Sequence, residues 1–411
     1  MTDKLITGDS KQHQGGPPYI ERILIHCSKF FLPEQLTGHL QVHMPSGNTV
    51  NLGQRNLPIT AILHIKSWKV LKRAMRHGTI GFSESYIYRE VDTPNPVALV
   101  QFFVQNRAVL AKSGGRVFSS GLVSRIRHLL KRNSRAGSKK NISAHYDLGN
   151  DFFSRWLDPS MTYSSGLFKG ASGDLEQAQQ EKYDRIIDCL ELDADSNVLE
   201  IGCGWGGFAE RFVQKTRAKI EGITLSHRQL SYARERLADN DRAEFQFLDY
   251  RDTSGRYDAI VSIEMIEAVG EENWGTYFQT LFDRLKPGGC VVLQAITISP
   301  EIFPTYRRKA DFIQRHVFPG GMLPTVPIMC NLAEATGFEF KVVEEFGQSY
   351  AKTLQLWQKE FDENWLNLSK LGFDDRFRRL WTWYLAYCEG GFHEGSVNVG
   401  IYQLQRTKSM T

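Results

Sequence analysis

The stretch Asn197-Val-Leu-Glu-Ile-Gly-Cys-Gly-Trp-Gly-Gly-Phe208 leaves this chain few ways to fold. Val198, Leu199 and Ile201 form a short apolar run suited to a buried strand, and glycines 202, 204, 206 and 207 let the backbone turn tightly into a helix beginning near Phe208. Glycines in such a place permit positive φ and leave no Cβ between backbone N–H groups and a ligand at the mouth of a doubly wound sheet. A purely structural turn would use the same residues, so the loop alone leaves both readings open.

The spacing separates two ligand classes. A dinucleotide pyrophosphate calls for G-x-G-x-x-G, whereas Glu200-Ile-Gly-Cys-Gly-Trp-Gly206 runs acidic-x-G-x-G-x-G, the pattern of S-adenosylmethionine-dependent methyltransferases. The loop resembles a methyl-donor site, in which Glu200 orients the turn.

With 411 residues, 41% of them hydrophobic and 12% aromatic, the chain can bury two or three cores and is too apolar for disorder. No run of eighteen apolar residues occurs and Met1-Thr-Asp-Lys lacks a signal-peptide core, so neither a membrane span nor export is expected. The six cysteines are scattered without C-x-x-C pairs, which points away from a disulfide framework or a zinc site and fits a reducing cytoplasm. His145 and His316 have no metal-ligand spacing, and no metal is expected.

The net charge of +4 conceals an asymmetry. Through Asn141 there are 21 Lys and Arg against 7 Asp and Glu, a surplus of 14 that leaves −10 for the remainder. The densest basic stretch, 116–141, interleaves Arg125, Arg127, Lys131 and Arg132 with Val123, Ile126, Leu129 and Leu130. Such a pattern suits peripheral attachment to an anionic phospholipid surface, or equally a solvated linker helix. No recognition motif or aromatic platform accompanies it, and nucleic acid is not an expected partner.

In chain order, 1–18 reads as a polar tail and 19–115 as a small α+β domain. Strands are expected at Leu40–Met44 and Thr60–Ile65, a helix at Trp68–His77, a turn-rich stretch at Gly78–Tyr86 and a further helix at Pro94–Ala108. A basic linker spans 116–141. Beyond it, 142–411 reads as a Rossmann-like α/β domain. Its buried strands include Tyr257–Ile263 and Gly289–Thr297, the latter introduced by a turn at Lys286-Pro-Gly-Gly. Residues 300–356 exceed what a sheet crossover needs, and the apolar, breaker-rich Phe318-Pro-Gly-Gly-Met-Leu-Pro324 reads as a lid or a rigid cap.

Several motifs together resemble one family. Asn141-Ile-Ser-Ala-His-Tyr-Asp-Leu-Gly-Asn-Asp-Phe-Phe153, Leu157-Asp-Pro-Ser-Met-Thr-Tyr-Ser-Ser165, Gly202–Gly207, Gly222-Ile-Thr-Leu-Ser226, Asp249-Tyr-Arg251, Met265-Ile-Glu-Ala-Val-Gly270 and Phe318–Pro324 are similar to those of the cyclopropane fatty acid synthases, and in the same order. The resemblance runs from about Gly78 to Arg406. It implies a class I methyltransferase fold and a homodimer at the inner face of the membrane. The activity it implies is transfer of a methyl group from S-adenosylmethionine to a cis double bond in a phospholipid acyl chain, followed by ring closure.

Residue by residue, the resemblance places Tyr163 and Ser164 near the donor's methionine part, with Gly202, Cys203, Gly204, Trp205 and Gly206 as the backbone loop. Thr224, Leu225, Ser226 and Gln229 would meet the ribose or amino-acid portion, and Asp249, Tyr250 and Arg251 the adenine. It also implies a bound bicarbonate as base, with Ser165, Glu267, Gln294, Tyr350 and the Ile296 amide matching the family's Cys, Glu, His, Tyr and backbone positions. Ser165 and Gln294 depart from the family pattern, yet both can donate hydrogen bonds to an oxyanion. Cys388 matches a family cysteine suspected in catalysis, though a buried filler thiol is the alternative. Aromatic faces stabilise a carbocation without capturing it; of the many aromatics between Tyr306 and Tyr387, most are expected to pack the core and lid, and Tyr350 is the one named for this role. Methyl transfer without ring closure, a soluble small-molecule substrate and a non-catalytic lipid-binding role remain open alternatives.

Overall fold

The computed structural model describes residues 21, 36–54, 58–113, 148–170 and 173–407. The expected tail 1–18, the basic stretch 116–141 and the motif residues 141–147 lie outside the described residues. The chain divides into two compact units, Met1–Ser120 and Gly121–Thr411, so the division falls within that basic stretch.

The first unit holds a four-stranded sheet in the order β2-β1-β3-β4, formed by β1 His39–His43, β2 Thr49–Gly53, β3 Thr60–Ile65 and β4 Val91–Asp92. β1 pairs antiparallel with β2 and parallel with β3. Of its helices, Lys69–Ile87 corrects the turn-rich reading of Gly78–Tyr86. Gly78 does leave helical geometry, at φ 60°, but the helix resumes. Two causes override the Gly and Ser propensities. Gly81 brings two turns together so closely that a Cβ there would stand 2.2 Å from the Arg73 carbonyl oxygen. Buried Ser83 and Ser85 return their hydroxyl protons to the carbonyls of Thr79 and Gly81, so neither competes for the backbone elsewhere.

The second unit is built on a seven-stranded sheet. Its strands are β5 Asn197–Ile201, β6 Lys219–Thr224, β7 Ala243–Phe247, β8 Tyr257–Ile263, β9 Leu285–Ile298, β10 Phe338–Glu345 and β11 Val397–Arg406, in the order β10-β11-β9-β8-β5-β6-β7. β5 through β9 are mutually parallel, and β11 enters antiparallel between β9 and β10. Leu199, Ile260, Val261, Val291 and Val292 are fully buried, as strands covered by helices on both faces require. Lys286-Pro-Gly-Gly is not a turn before β9 but a bulge within it. Tyr257 opposes Leu285 while Ala259 opposes Cys290, and Gly289 fits there because a Cβ would lie 2.4 Å from the Asp258 carbonyl oxygen.

This topology locates a site. β5 has β6 on one side and β8 on the other, so the chain leaves the ends of β5 and β8 in opposite directions and opens a crevice there. Over it the segment between β9 and β10 forms the helices Phe303–Tyr306, Phe312–His316 and Val326–Ala335. The Phe318–Pro324 stretch is pinned to the site floor by Met322 N–H donating to the Glu267 carbonyl at 2.8 Å, and Gln314 holds the Gly321 carbonyl.

Candidate active site

At the crevice, β5 ends in the glycine loop. Gly202, Gly204 and Gly206 all have positive φ, at 88°, 53° and 82°. A Cβ on Gly206 would press on Ala233, whereas one on Gly204 would meet nothing within 4 Å. Gly204 therefore faces open space. That space is a cavity lined by Tyr163, Ser164, Glu200, Gly202, Cys203, Gly204, Trp205, Thr224, Leu225, Gln229 and Tyr250, and also by Met161 and Glu264. The Gly202 and Cys203 N–H groups donate to the Ile223 carbonyl and that of Gly206 to the Cys203 carbonyl, so what the loop offers that space is backbone bare of a side chain at Gly204.

Four other expected donor contacts are not among the residues lining this cavity. Gly206 is the left-handed cap of the helix Gly207–Lys215, and Ser226 caps His227–Arg236 by accepting from the Gln229 amide. Asp249 and Arg251 are occupied with each other in a two-pronged ion pair at 2.6–2.8 Å. Thr224 donates to the Gln229 side chain at 3.0 Å, which fixes that amide at the cavity wall. Gly222 stands where related nucleotide sites carry a ribose-binding acid nearby; a Cβ would come within 2.7 Å of Phe245 and 2.9 Å of the Cys203 Cβ.

Tyr163 and Trp205 line the cavity, and further aromatic rings pack against them or near them. Tyr163 lies 5.3 Å from Phe153 and from Trp357 between centroids, and its hydroxyl bonds that of Tyr384 at 2.8 Å. Tyr350 stacks on Phe392 at 4.4 Å. Trp205 donates its indole proton to Asn150 and packs on Phe153, joining the loop to the Asn150-Asp-Phe-Phe153 motif.

The residues expected to cradle bicarbonate do converge, but on a side chain the sequence reading omitted. Glu264, the residue after β8, accepts the Ser165 amide at 2.9 Å and Gln294 Nε2 at 2.7 Å on Oε1, and the Tyr350 hydroxyl at 2.6 Å on Oε2. Its own amide donates to the Gln294 carbonyl, and β9 is long enough that Gln294 stands level with the end of β8. Glu267 lies apart from these donors, accepting the Ile296 amide at 2.5 Å, and its Oε2 has no hydrogen-bond partner among the described residues. The Ser165 hydroxyl donates to the Gly166 carbonyl. The residues present therefore do not fit a bicarbonate: the donors that would hold it are already occupied by a carboxylate of this chain. Cys388 makes no hydrogen bond in this network, and burial, with the Asp311 and Glu264 charges, drives its thiol pKa well up, so it remains a thiol.

The ionisable groups of the site are deeply buried. Burial raises the Glu264 carboxyl against the pull of its three donors and of Lys182. Burial pushes Glu267 up to about 8, the Glu264 charge adding to it, and Glu200 up to about 8. Lys182, fully buried and donating to the Ser164 hydroxyl at 2.7 Å, is pushed down to about 7 by burial against the attraction of Glu264, Asp158 and Glu200. A carboxyl whose folded pKa is raised holds a proton that the unfolded chain has released, so its fold loses stability as pH rises between the two values. For Glu200 and Glu267 that window is pH 4.5 to 8; Lys182 acts oppositely, but only above about 7. The denaturant midpoint of the protein is expected to fall between pH 5 and pH 7, and a rising midpoint there would contradict this charge assignment.

A mostly parallel sheet with this strand order, an antiparallel β11 and a glycine loop opening on its crevice defines a class I S-adenosylmethionine-dependent methyltransferase. The cavity suits the donor, since the loop presents bare backbone and Gly204 leaves room beside it. The chain belongs to the mycolic acid cyclopropane synthetase family, whose model matches residues 133–403.

It is 37% identical over 357 residues to a tuberculostearic acid methyltransferase of Mycobacterium tuberculosis, covering 82% of this chain and 81% of that one. To the cyclopropane-fatty-acyl-phospholipid synthase of Escherichia coli it is 34% identical over 353 residues, with 82% and 86% covered. Among solved structures, a mycolic acid cyclopropane synthase complexed with SAH and CTAB matches with TM-score 0.61 and 31% identity, over 65% of this chain and 98% of that chain. No helix of the described residues is long and apolar enough to cross a membrane.

Proposed function

We propose that this enzyme transfers a methyl group from S-adenosylmethionine to a cis double bond of an unsaturated acyl chain carried by a membrane phospholipid, with loss of a proton and closure of a cyclopropane. The observation that supports it most is the union in one place of a bare-backbone donor cavity, the cavity-lining ring of Tyr163 and a buried, hydrogen-bonded carboxylate. An alkene is a weak nucleophile. It must be held against the sulfonium methyl, and the resulting cation must meet no water. Tyr163, which lines the cavity, offers a π-face to that cation, and a carboxylate takes the proton. The basic surplus before Asn141 suits delivery to an anionic bilayer.

A second reading, methyl transfer without ring closure, is favoured by the 37% identity to a relative named as a tuberculostearic acid methyltransferase rather than a cyclopropane synthase. Hydrogenation separates the two. Acyl chains released after reaction are expected to resist mild hydrogenation at the new carbon; uptake of hydrogen would identify a methylene product, and a chain already branched would identify a reduced one.

A further inference from the structure

We infer that the Glu264 carboxylate is the built-in base of this enzyme, standing in the anion cradle formed by Ser165, Gln294 and Tyr350, so that the reaction needs no bicarbonate. The inference rests on the methyl-transfer reading above. Three observations carry it. The cradle's donors all converge on Glu264, at 2.6–2.9 Å. These fill three of the roughly four acceptor positions of a carboxylate and leave one for an incoming proton. Glu264 also lines the donor cavity alongside Gly202, Gly204 and Tyr163, which puts it beside the space where the methyl group is delivered.

The backbone supports the assignment. Glu264 has φ 49°, a left-handed conformation that a residue with a long side chain rarely takes, and the Gln294 carbonyl fixes its amide there. Strain of this kind persists where surrounding structure over-determines it, commonly at active sites. Tyr350 and Gln294 stabilise the ionised form, while neighbouring Glu267, without comparable donors, holds its proton.

The step balances within the site. After the methyl group has bonded to one alkene carbon, the other carries the positive charge. Glu264 takes one proton from that methyl group, and the electron pair of the broken C–H bond forms the third side of the ring. The cation is discharged, Glu264 is left as a neutral carboxylic acid, and its proton passes to solvent once the product has left.

The test uses the full chain, methyl-labelled S-adenosylmethionine and vesicles of unsaturated phosphatidylglycerol, in carbon-dioxide-free buffer with and without added bicarbonate. Wild type is expected to label lipid equally in both. Glu264→Gln, which fills the cradle without a base, is expected to lose roughly a hundredfold or more in both. Glu264→Gly, whose backbone accepts φ 49° and whose cradle is empty, is expected to be inactive alone and to regain activity with bicarbonate, a rescue that a purely structural Glu264 would not allow. Thermal unfolding and donor binding verify that both variants are folded. Wild-type labelling that requires bicarbonate, or a Glu264→Gln variant of normal rate, overturns the inference while leaving the methyl-transfer reading intact. A wild type that labels no lipid in either buffer overturns that reading, and the inference with it.

Discussion

Phe152→Ala is expected to destabilise the catalytic unit by about 3–5 kcal/mol, the cost of truncating a buried aromatic residue and leaving a cavity. Phe152 is fully buried, and its ring contacts those of Phe153, Trp156, Phe361, Phe373, Phe377 and Trp381. Those partners come from three separate parts of the chain, so the surroundings cannot collapse around the gap without shifting several elements. The midpoint of thermal unfolding should drop by on the order of 10 °C. Because Phe153 packs on both Trp205 and Tyr163, donor affinity should weaken in the same variant. A change in midpoint of only a degree or two would show that this aromatic cluster does not hold the unit together.

Gly204→Ala should separate fold from function in the opposite sense. Its new methyl group meets no protein atom within 4 Å and enters the cavity instead. The left-handed φ of 53° costs about 1–2 kcal/mol of stability. Overpacking against the donor costs a further ~1–3 kcal/mol of binding, a ten- to hundredfold loss of affinity. Calorimetric titration with S-adenosylhomocysteine measures it. Unchanged affinity would place the donor elsewhere than beside Gly204.

The residues that made the fold readable are those whose pattern is local. β3 and β8 match the expected Thr60–Ile65 and Tyr257–Ile263, because an apolar run between breakers specifies a buried strand by itself. The glycine loop was readable for the same reason. Helix Lys69–Ile87 and the β9 bulge were not, since burial of Gly81 against Arg73 and of Gly289 against Asp258 are tertiary contacts. Lys182 sits in Glu181-Lys-Tyr-Asp184, which reads as an ordinary solvated helix turn; only the structure reveals that it is fully buried. Glu264 did carry a signal. It is an acid at the very end of a predicted buried strand, where α/β sheets bind ligands, and it immediately precedes the motif Met265–Gly270. Matching the motif residue by residue drew attention to Glu267 instead.

The central claim, addition of a methyl group to an acyl double bond, is tested most directly by mass spectrometry of fatty acids from two vesicle preparations treated alike with enzyme and isotope-labelled S-adenosylmethionine. One contains cis-unsaturated phospholipid and the other its saturated counterpart. The account predicts label only in the unsaturated sample, located in the acyl chain and raising its mass by one methylene unit. Equal labelling of saturated lipid, or label confined to the head group, would contradict it.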